Sequence, residues 1–231
     1  GESFRWSGVY SFDLSNRETL ETRLGVFADF APRIPEEFRT SDWVFLGNID
    51  PRLQLDVLEQ ISRPRFVACD TMNFWIEGKR DTLLELLSRV DLLLVNDSEA
   101  RELSGDHNLA RAARWIHARG PRYVIIKKGE HGAMFFSEHE TYVLPAYPTD
   151  RVVDPTGAGD SFAGGFFGHL DGCQGEIDDS ELRRAMGYGT VLASFNVEDF
   201  GTERVSRLTR EEIDERFETL RRMTQFEPLP A

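Results

Sequence analysis

Short apolar runs alternate with amphipathic stretches along most of this chain, and this alternation constrains the fold more than any other feature. The pattern is typical of a parallel sheet whose two faces are covered by helices. Ligands of such sheets bind at the carboxyl ends of the strands. The predicted strands are 42–49, 65–70, 91–96 and 122–129, and the predicted helices between them are 51–62, 79–89, 98–104 and 108–119.

The remaining segments complete an α/β fold. A pair of strands is predicted at 132–137 and 140–145, followed by helices at 158–170, 180–195 and 209–224. The N-terminal stretch "FRWSGVYSFD" does not fit the repeat, and its strand-like alternation predicts a β element outside the main sheet. We therefore divide the chain into residues 1–30 and an α/β domain at 31–231.

The charge balance excludes some partners. The chain carries 27 basic and 40 acidic side chains, a formal net charge of −13, which repels nucleic acid and anionic membrane surfaces. No apolar run is long enough to span a bilayer. No N-terminal leader pattern is visible, so the cytoplasm is the expected location. We find no metal-ligand spacing among the five histidines or around Cys69 and Cys173, and we expect reduced thiols.

The segment "DPTGAGDSFAGG" (154–165) predicts an anion site. We interpret "RVVD" (151–154) as the end of a strand, "PTGAG" as a turn and the following residues as the start of a helix. Backbone amides in the first turn of a helix have no partner within it, and the helix dipole favours negative charge there. Because Gly157, Ala158 and Gly159 have little or no side chain, a phosphate can approach their amides closely.

Asp160 needs a separate explanation, because a carboxylate in the same turn competes with a phosphate for those amides. One interpretation is an ordinary helix cap. The other is a base that accepts the proton of an alcohol during phosphoryl transfer. The local sequence leaves both interpretations open.

Three segments resemble motifs of the PfkB (ribokinase-like) family of carbohydrate and nucleoside kinases, and they follow one another along the chain in the order expected for that family. "DPTGAGDSFAGGF" is similar to the C-terminal signature of the family, "NDSEAREL" (96–103) to its Asn-x-x-Glu motif, and "KKGEHGAMFF" (127–136) to its nucleotide loop. The resemblance covers residues 42–201. It implies a ribokinase-like three-layer α/β/α fold with a mainly parallel sheet, and an enzyme that uses ATP and Mg²⁺.

The resemblance also assigns roles to the glycine-rich segment. It makes Asp160 the catalytic base and the amides of 157–159 the anion hole for the transferred phosphoryl group. Asp154 and Thr156 match positions that hold a monovalent cation such as K⁺ in many relatives.

Asn96 and Glu99 match the residues that help bind Mg²⁺ and phosphate in the family, with Glu99 acting through water. Phosphate charges on a protein of negative net charge call for divalent neutralisation. A capping box is the alternative interpretation, because a helix would begin at Asn96 with a glutamate three residues later.

The resemblance further implies nucleotide contacts. Lys128, Gly129 and Gly132 would lie beside the phosphates and ribose, although a tight turn alone explains both glycines. In "GTVLASFNVEDFG" (189–201), the residues expected to wall the adenine are Ala193, Val197 and Gly201, although helical apolar spacing there also fits a core helix.

The N-terminal part departs from the family pattern. The Gly-Gly substrate signature is missing, so we expect that about the first quarter of the family fold is absent and that residues 1–30 are a remnant of its β lid. We expect a fragment of a longer kinase, with an exposed sheet edge that invites a homodimer. At the remaining strand ends, Asn48, Asp70 and Asn73 are candidates for hydrogen bonds to the acceptor.

The leading hypothesis is therefore an ATP- and Mg²⁺-dependent kinase that phosphorylates a primary alcohol of a sugar, nucleoside or related small molecule. The alternative is a nucleotide-binding pseudokinase or sensor without acceptor turnover. The absence of a Walker-type GxxxxGK[ST] motif gives little support to a third reading, an ATP hydrolase.

Overall fold

The main sheet follows the chain order in the computed structural model, which describes residues 1–12, 17–173 and 175–226. Its six strands lie side by side in sequence order, the first four parallel and the last two antiparallel. All six were predicted from the sequence, with ends that differ by up to three residues. The strands are β3 (Trp43–Leu46), β4 (Phe66–Asp70), β5 (Leu92–Asn96), β6 (Tyr123–Lys127), β7 (Ala133–Phe136) and β8 (Thr141–Leu144).

Helices cover both faces of this sheet. Side chains of a strand alternate between the faces, so Leu93 packs into one hydrophobic core while its neighbours Leu92 and Leu94 pack into the other. The first core is closed by α1 (Pro51–Leu58), α2 (Asn73–Gly78), α3 (Arg80–Leu87), α4 (Asp97–Ser104) and α5 (Leu109–His117). The second is closed by α6 (Ala158–Asp171), α7 (Asp179–Asn196) and α8 (Arg210–Met223).

One local prediction was wrong, and one helix was not predicted. The segment 151–154 forms no strand; Val152 and Val153 are exposed, and the amides of Val153 and Asp154 donate to the carbonyl of Val197, at distances of 2.7 and 3.3 Å. The segment therefore crosses the end of α7 instead of joining the sheet. Helix α2 was not predicted, because six residues are too short to show a helical period.

The N-terminal residues form a β hairpin apart from the main sheet. Its strands, β1 (Arg5–Tyr10) and β2 (Arg17–Arg23), pair antiparallel with a register shift between Ser7 and Gly8. The Tyr10 hydroxyl lies 3.1 Å from the Thr156 hydroxyl. This contact joins the hairpin to the segment that precedes α6.

Among the described residues, the helices are all too short or too polar to cross a lipid bilayer.

Two glycines of α6 predict opposite effects on stability. A Cβ at Gly165 would lie 2.6 Å from the carbonyl oxygen of Tyr188 in α7, whereas a Cβ at Gly164 would meet nothing within 4 Å. Gly165→Ala must push two packed helices apart and should lower the free energy of unfolding by about 1–3 kcal/mol. Gly164→Ala should raise it by up to about 1 kcal/mol, because alanine is the better helix former. Urea unfolding of both variants checks the pair, and equal effects would contradict the close helix contact.

Candidate active site

Three neighbouring parallel strands end at one edge of the sheet in polar residues. Asp70, Asn96 and Lys127 are the last residues of β4, β5 and β6. Because parallel strands share an end, these side chains lie at the same edge. The predicted location of the site at the carboxyl ends of the strands therefore gathers charged and polar groups.

Lys127 and Asp70 form an ion pair across the end of β5. Their side chains are 18% and 9% exposed, and Lys127 Nζ lies 2.9 Å from Asp70 Oδ2. Burial by itself lowers the pKa of Lys127, but attraction to Asp70, Glu99 and Asp160 outweighs it and the pKa is raised. Lys127 is thus a fixed positive charge surrounded by three carboxylates.

Helix α6 begins directly above this ammonium group. Gly157 is its N-cap and has a φ of +85°, in the left-handed region that favours glycine. A Cβ on Gly159 would lie 3.1 Å from Lys127 Nζ. The start of α6 and the Lys127 ammonium are therefore neighbours, an arrangement whose amides and positive charge suit an anion.

Asp160 is the third residue of α6. No hydrogen bond to its carboxylate is found among the described residues, so the capping interpretation has no contact to support it. The residue is exposed, yet the surrounding protein removes enough water to raise the pKa of its carboxylate; Asp70 adds to this rise and Lys127 opposes it. A carboxylate with a raised pKa and no partner can accept a proton.

Asn96 and Glu99 form the capping box that the sequence allowed. Asn96 Oδ1 accepts from the Glu99 amide at 2.8 Å, and Glu99 Oε2 accepts from the Asn96 amide at 2.8 Å. Glu99 is nevertheless buried, at 6% exposure, and its charge contributes to the raised pKa of Lys127. The cap explains the spacing of the two residues, and it also holds the Glu99 carboxylate beside the ion pair.

Asp154 and Thr156 belong to the segment that leads into α6. Asp154 Oδ1 accepts from the Thr156 amide at 2.9 Å, and the Thr156 hydroxyl contacts Tyr10. The amide of Asp154 is held by the Val197 carbonyl. The two side chains are therefore fixed by local hydrogen bonds, beside the helix start.

Lys128, Gly129 and Gly132 form the turn between β6 and β7. The Lys128 amide donates to the Gly132 carbonyl at 2.7 Å, and both glycines have positive φ, +56° and +86°. A Cβ on Gly132 would lie 2.0 Å from the Leu144 carbonyl oxygen. The turn alone thus explains both glycines. Lys127, which the sequence analysis did not select, is the lysine that enters the site.

The C-terminal end of α7 contacts the start of α6. Ala193 and Val197 are half-buried, Gly201 is exposed, and the core positions of the same helix are filled by neighbours such as Phe195. Asn196, missed by the sequence analysis, is 1% exposed and accepts from the Ser161 hydroxyl at 3.1 Å. A single asparagine in an apolar helix gives no pattern that could have indicated this role.

Asn73 and Asn48 lie near the strand ends as expected but have partners within the protein. Asn48 Oδ1 accepts from the Trp75 indole at 3.0 Å, and Asn73 donates to Glu102. Asp70 is held in the ion pair and also accepts from the Thr71 amide. The buried Thr71 hydroxyl has no partner among the described residues.

Comparisons with known proteins identify the family and the fold. A sequence profile described as pfkB family carbohydrate kinase matches residues 46–208. The cytidine kinase of Thermococcus kodakarensis is 36% identical over 137 residues, which are 58% of this chain and 49% of that protein. The chain spans about half or less of the length of the curated relatives it matches.

Solved structures give the same fold. A ribokinase from Thermotoga maritima is similar at 25% identity with a TM-score of 0.62, covering 77% of this chain and 57% of that one. The nucleoside kinase of Methanocaldococcus jannaschii is similar to this chain at 22% identity with a TM-score of 0.70. The similarity covers 94% of this chain and 69% of the chain of that kinase. The predicted three-layer α/β/α fold with a mainly parallel sheet is confirmed.

Proposed function

Because the chain belongs to the pfkB family of carbohydrate kinases, we propose that it transfers the γ-phosphoryl group of ATP to a primary hydroxyl of a sugar, nucleoside or related small molecule. The observation that carries this proposal is the Asp160 carboxylate, which has no hydrogen-bond partner among the described residues, stands in the first turn of α6 and has a raised pKa. We assign residues 1–30 to a lid over the site and residues 31–231 to the catalytic domain.

The chain's own residues supply a base and a positive anion site. In the proposed step, the acceptor hydroxyl gives its proton to Asp160 while its oxygen bonds to the γ-phosphorus, and the bond from that phosphorus to the ADP oxygen breaks. The amides of 157–159 and the Lys127 ammonium stabilise negative charge on the transferred group. The amides lie at the start of α6 and the ammonium at the end of β6, and these two elements keep both groups oriented toward the transferred phosphoryl group.

The charges around Lys127 fit a divalent cation. Three carboxylates, from Asp70, Glu99 and Asp160, face one ammonium group, which leaves an excess of negative charge where phosphates would bind. We propose that Asn96 and Glu99 hold Mg²⁺ through water. Bound there, Mg²⁺ neutralises charge on the nucleotide phosphates. We further propose Asp154 and Thr156 as the site of a monovalent cation such as K⁺.

The nucleotide would lie between the turn at 128–132 and the C-terminal end of α7. We propose that Lys128, Gly129 and Gly132 border its phosphates and ribose, and that Ala193, Val197 and Gly201 wall the adenine. The half-buried state of Ala193 and Val197 supports this role, because fully buried side chains could not reach a ligand.

A second candidate is a nucleotide-binding module without acceptor turnover. It is favoured by one observation: the candidate acceptor residues Asn48, Asp70 and Asn73 all have partners inside the protein. This candidate predicts ATP binding at the same site and no phosphorylated product.

A transfer assay separates the two candidates. The protein is incubated with Mg·ATP labelled in the γ-phosphate and a panel of sugars and nucleosides that includes cytidine and ribose, the acceptors suggested by the named relatives. ATP binding is measured on the same sample, and ADP formed without acceptor is subtracted. Label on one acceptor supports the kinase. Bound ATP without labelled product across the panel supports the module.

The raised pKa of Asp160 predicts where activity is lost on acidification. A carboxylate base works only when ionised, so the rate falls as the pH drops through its pKa. Because desolvation and Asp70 raise that pKa, the acid limb of kcat/KM should lie above the usual value of about 3.9 for aspartate. Asp70→Asn removes a raising charge while Lys127 still lowers the pKa, so the limb should move to lower pH. Rates measured from about pH 4 to 8 test this, and an unmoved limb would contradict the assignment.

A further inference from the structure

A cluster of three potential metal ligands lies at the end of α6 farthest from Asp160. His169 Nε2, Cys173 Sγ and Glu181 Oε2 all lie within 4.8 Å of one another, and the three residues are half-buried. His169 is in the last turn of α6, Cys173 follows one turn later and Glu181 is in the first turn of α7. The sequence analysis found no metal-ligand spacing here, because the third residue of the cluster comes from another helix.

The separations match three corners of a tetrahedral zinc site. His169 Nε2 lies 3.0 Å from Glu181 Oε2, Cys173 Sγ lies 3.4 Å from the same oxygen, and Sγ lies 3.8 Å from Nε2. Bonds of about 2.0–2.1 Å from zinc to nitrogen or oxygen and about 2.3 Å to sulfur place such ligands about 3.3–3.6 Å apart. An ion could therefore enter with shifts of only a few tenths of an ångström.

The charges suit a divalent cation as well. A thiolate and a carboxylate together balance two positive charges. Arg184 bonds the other oxygen of Glu181, Oε1, and so leaves Oε2 directed at the cluster.

The ligands are also held in place before any ion binds. The His169 ring stacks on Tyr188 of α7, with centroids 4.8 Å apart, and Tyr188 stacks in turn on Phe217 at 4.3 Å. The Glu181 amide donates to Asp178, the N-cap of α7, at 2.8 Å. Preorganised ligands lose little conformational entropy on binding.

We propose that His169, Cys173 and Glu181 bind one zinc-like divalent cation, with water in the fourth position. On binding, the Cys173 thiol gives its proton to the buffer and its sulfur bonds to the metal. His169 is nine residues after Asp160, or roughly 13 Å along the helix, so the ion does not take part in phosphoryl transfer. It cross-links α6 to the start of α7.

Cobalt titration tests this site directly. Reduced, chelator-treated protein is titrated with Co²⁺, which in a tetrahedral thiolate site gives visible bands and a near-ultraviolet sulfur-to-cobalt band. We expect one equivalent of Co²⁺ to produce the visible bands and the sulfur-to-cobalt band, and we expect Zn²⁺ to displace the bound Co²⁺. Cys173→Ser should abolish the sulfur band and weaken binding at least about a hundredfold. The control Cys69→Ala should change neither, because Cys69 is fully buried in the other core.

Two further variants keep the test decisive if Cys173→Ser does not fold. His169→Gln should weaken Co²⁺ binding by a similar factor, while the exposed His107→Gln should not. Zn²⁺ should raise the melting temperature of the wild type and leave that of His169→Gln unchanged. A wild-type protein without a sulfur-to-cobalt band would overturn the proposal and leave the cluster as a hydrogen-bonded group.

Discussion

Replacing Asp160 by asparagine should leave ATP binding intact and reduce phosphoryl transfer at least about a hundredfold, the usual scale of lost base catalysis. Asparagine has nearly the same shape but cannot accept the proton of the acceptor hydroxyl. The variant should be no less stable than the wild type at pH 7, because desolvation and Asp70 disfavour the ionised carboxylate at this position. Steady-state kinetics, ATP titration and urea unfolding measure the three expectations.

The matched control is Asp171→Asn, at the last residue of the same helix and exposed. It changes the same charge far from the proposed site and should leave transfer unchanged. Normal turnover in Asp160→Asn, combined with a loss of about 1 kcal/mol of stability, would show that Asp160 is only a helix cap.

Lys127→Met should be the most destabilising single change of a charged residue in the site. It leaves the Asp70 carboxylate, 9% exposed, buried without its cation. Breaking a buried ion pair in this way costs about 3–5 kcal/mol. Urea unfolding should show this loss, and the double variant Lys127→Met with Asp70→Asn should recover part of it, because no unpaired charge remains.

Lys128→Met is the control for this prediction. The residue is next in sequence, and within the part of the chain that the structure describes its ammonium forms no ion pair. Its replacement should change the free energy of unfolding by no more than about 0.5 kcal/mol. Equal losses in both variants would mean that the Lys127–Asp70 pair contributes nothing specific.

The sheet could be predicted from the sequence because its strands are buried on both faces. Continuous apolar runs such as 92–95, each followed by a polar residue, are typical of strands in a parallel sheet that is covered on both faces, and helices of eight residues or more show their period. The segment 151–154 contains two adjacent valines, which also favour a strand, yet both valines are exposed. Its hydrogen-bond partner is the end of a helix more than forty residues later, and no local pattern contains that information.

Features of the candidate site could be anticipated from the sequence where backbone geometry imposes a residue type. Gly157, in the left-handed region at the start of α6, is such a case. Lys127 and Asn196 were missed because their roles depend on tertiary contacts, with Asp70 and with Ser161. Two adjacent lysines look alike in sequence, and alternation along β6 decides which one enters the site.

The two hydrogen bonds from the amides of Val153 and Asp154 to the Val197 carbonyl are made entirely by backbone atoms. Every residue type has the same backbone carbonyl. A mutation at position 197 therefore changes the side chain beside the proposed nucleobase pocket without removing these two hydrogen bonds. Under the proposed function, nucleotide preference can therefore change at position 197 while the backbone contacts at the start of α6 stay the same.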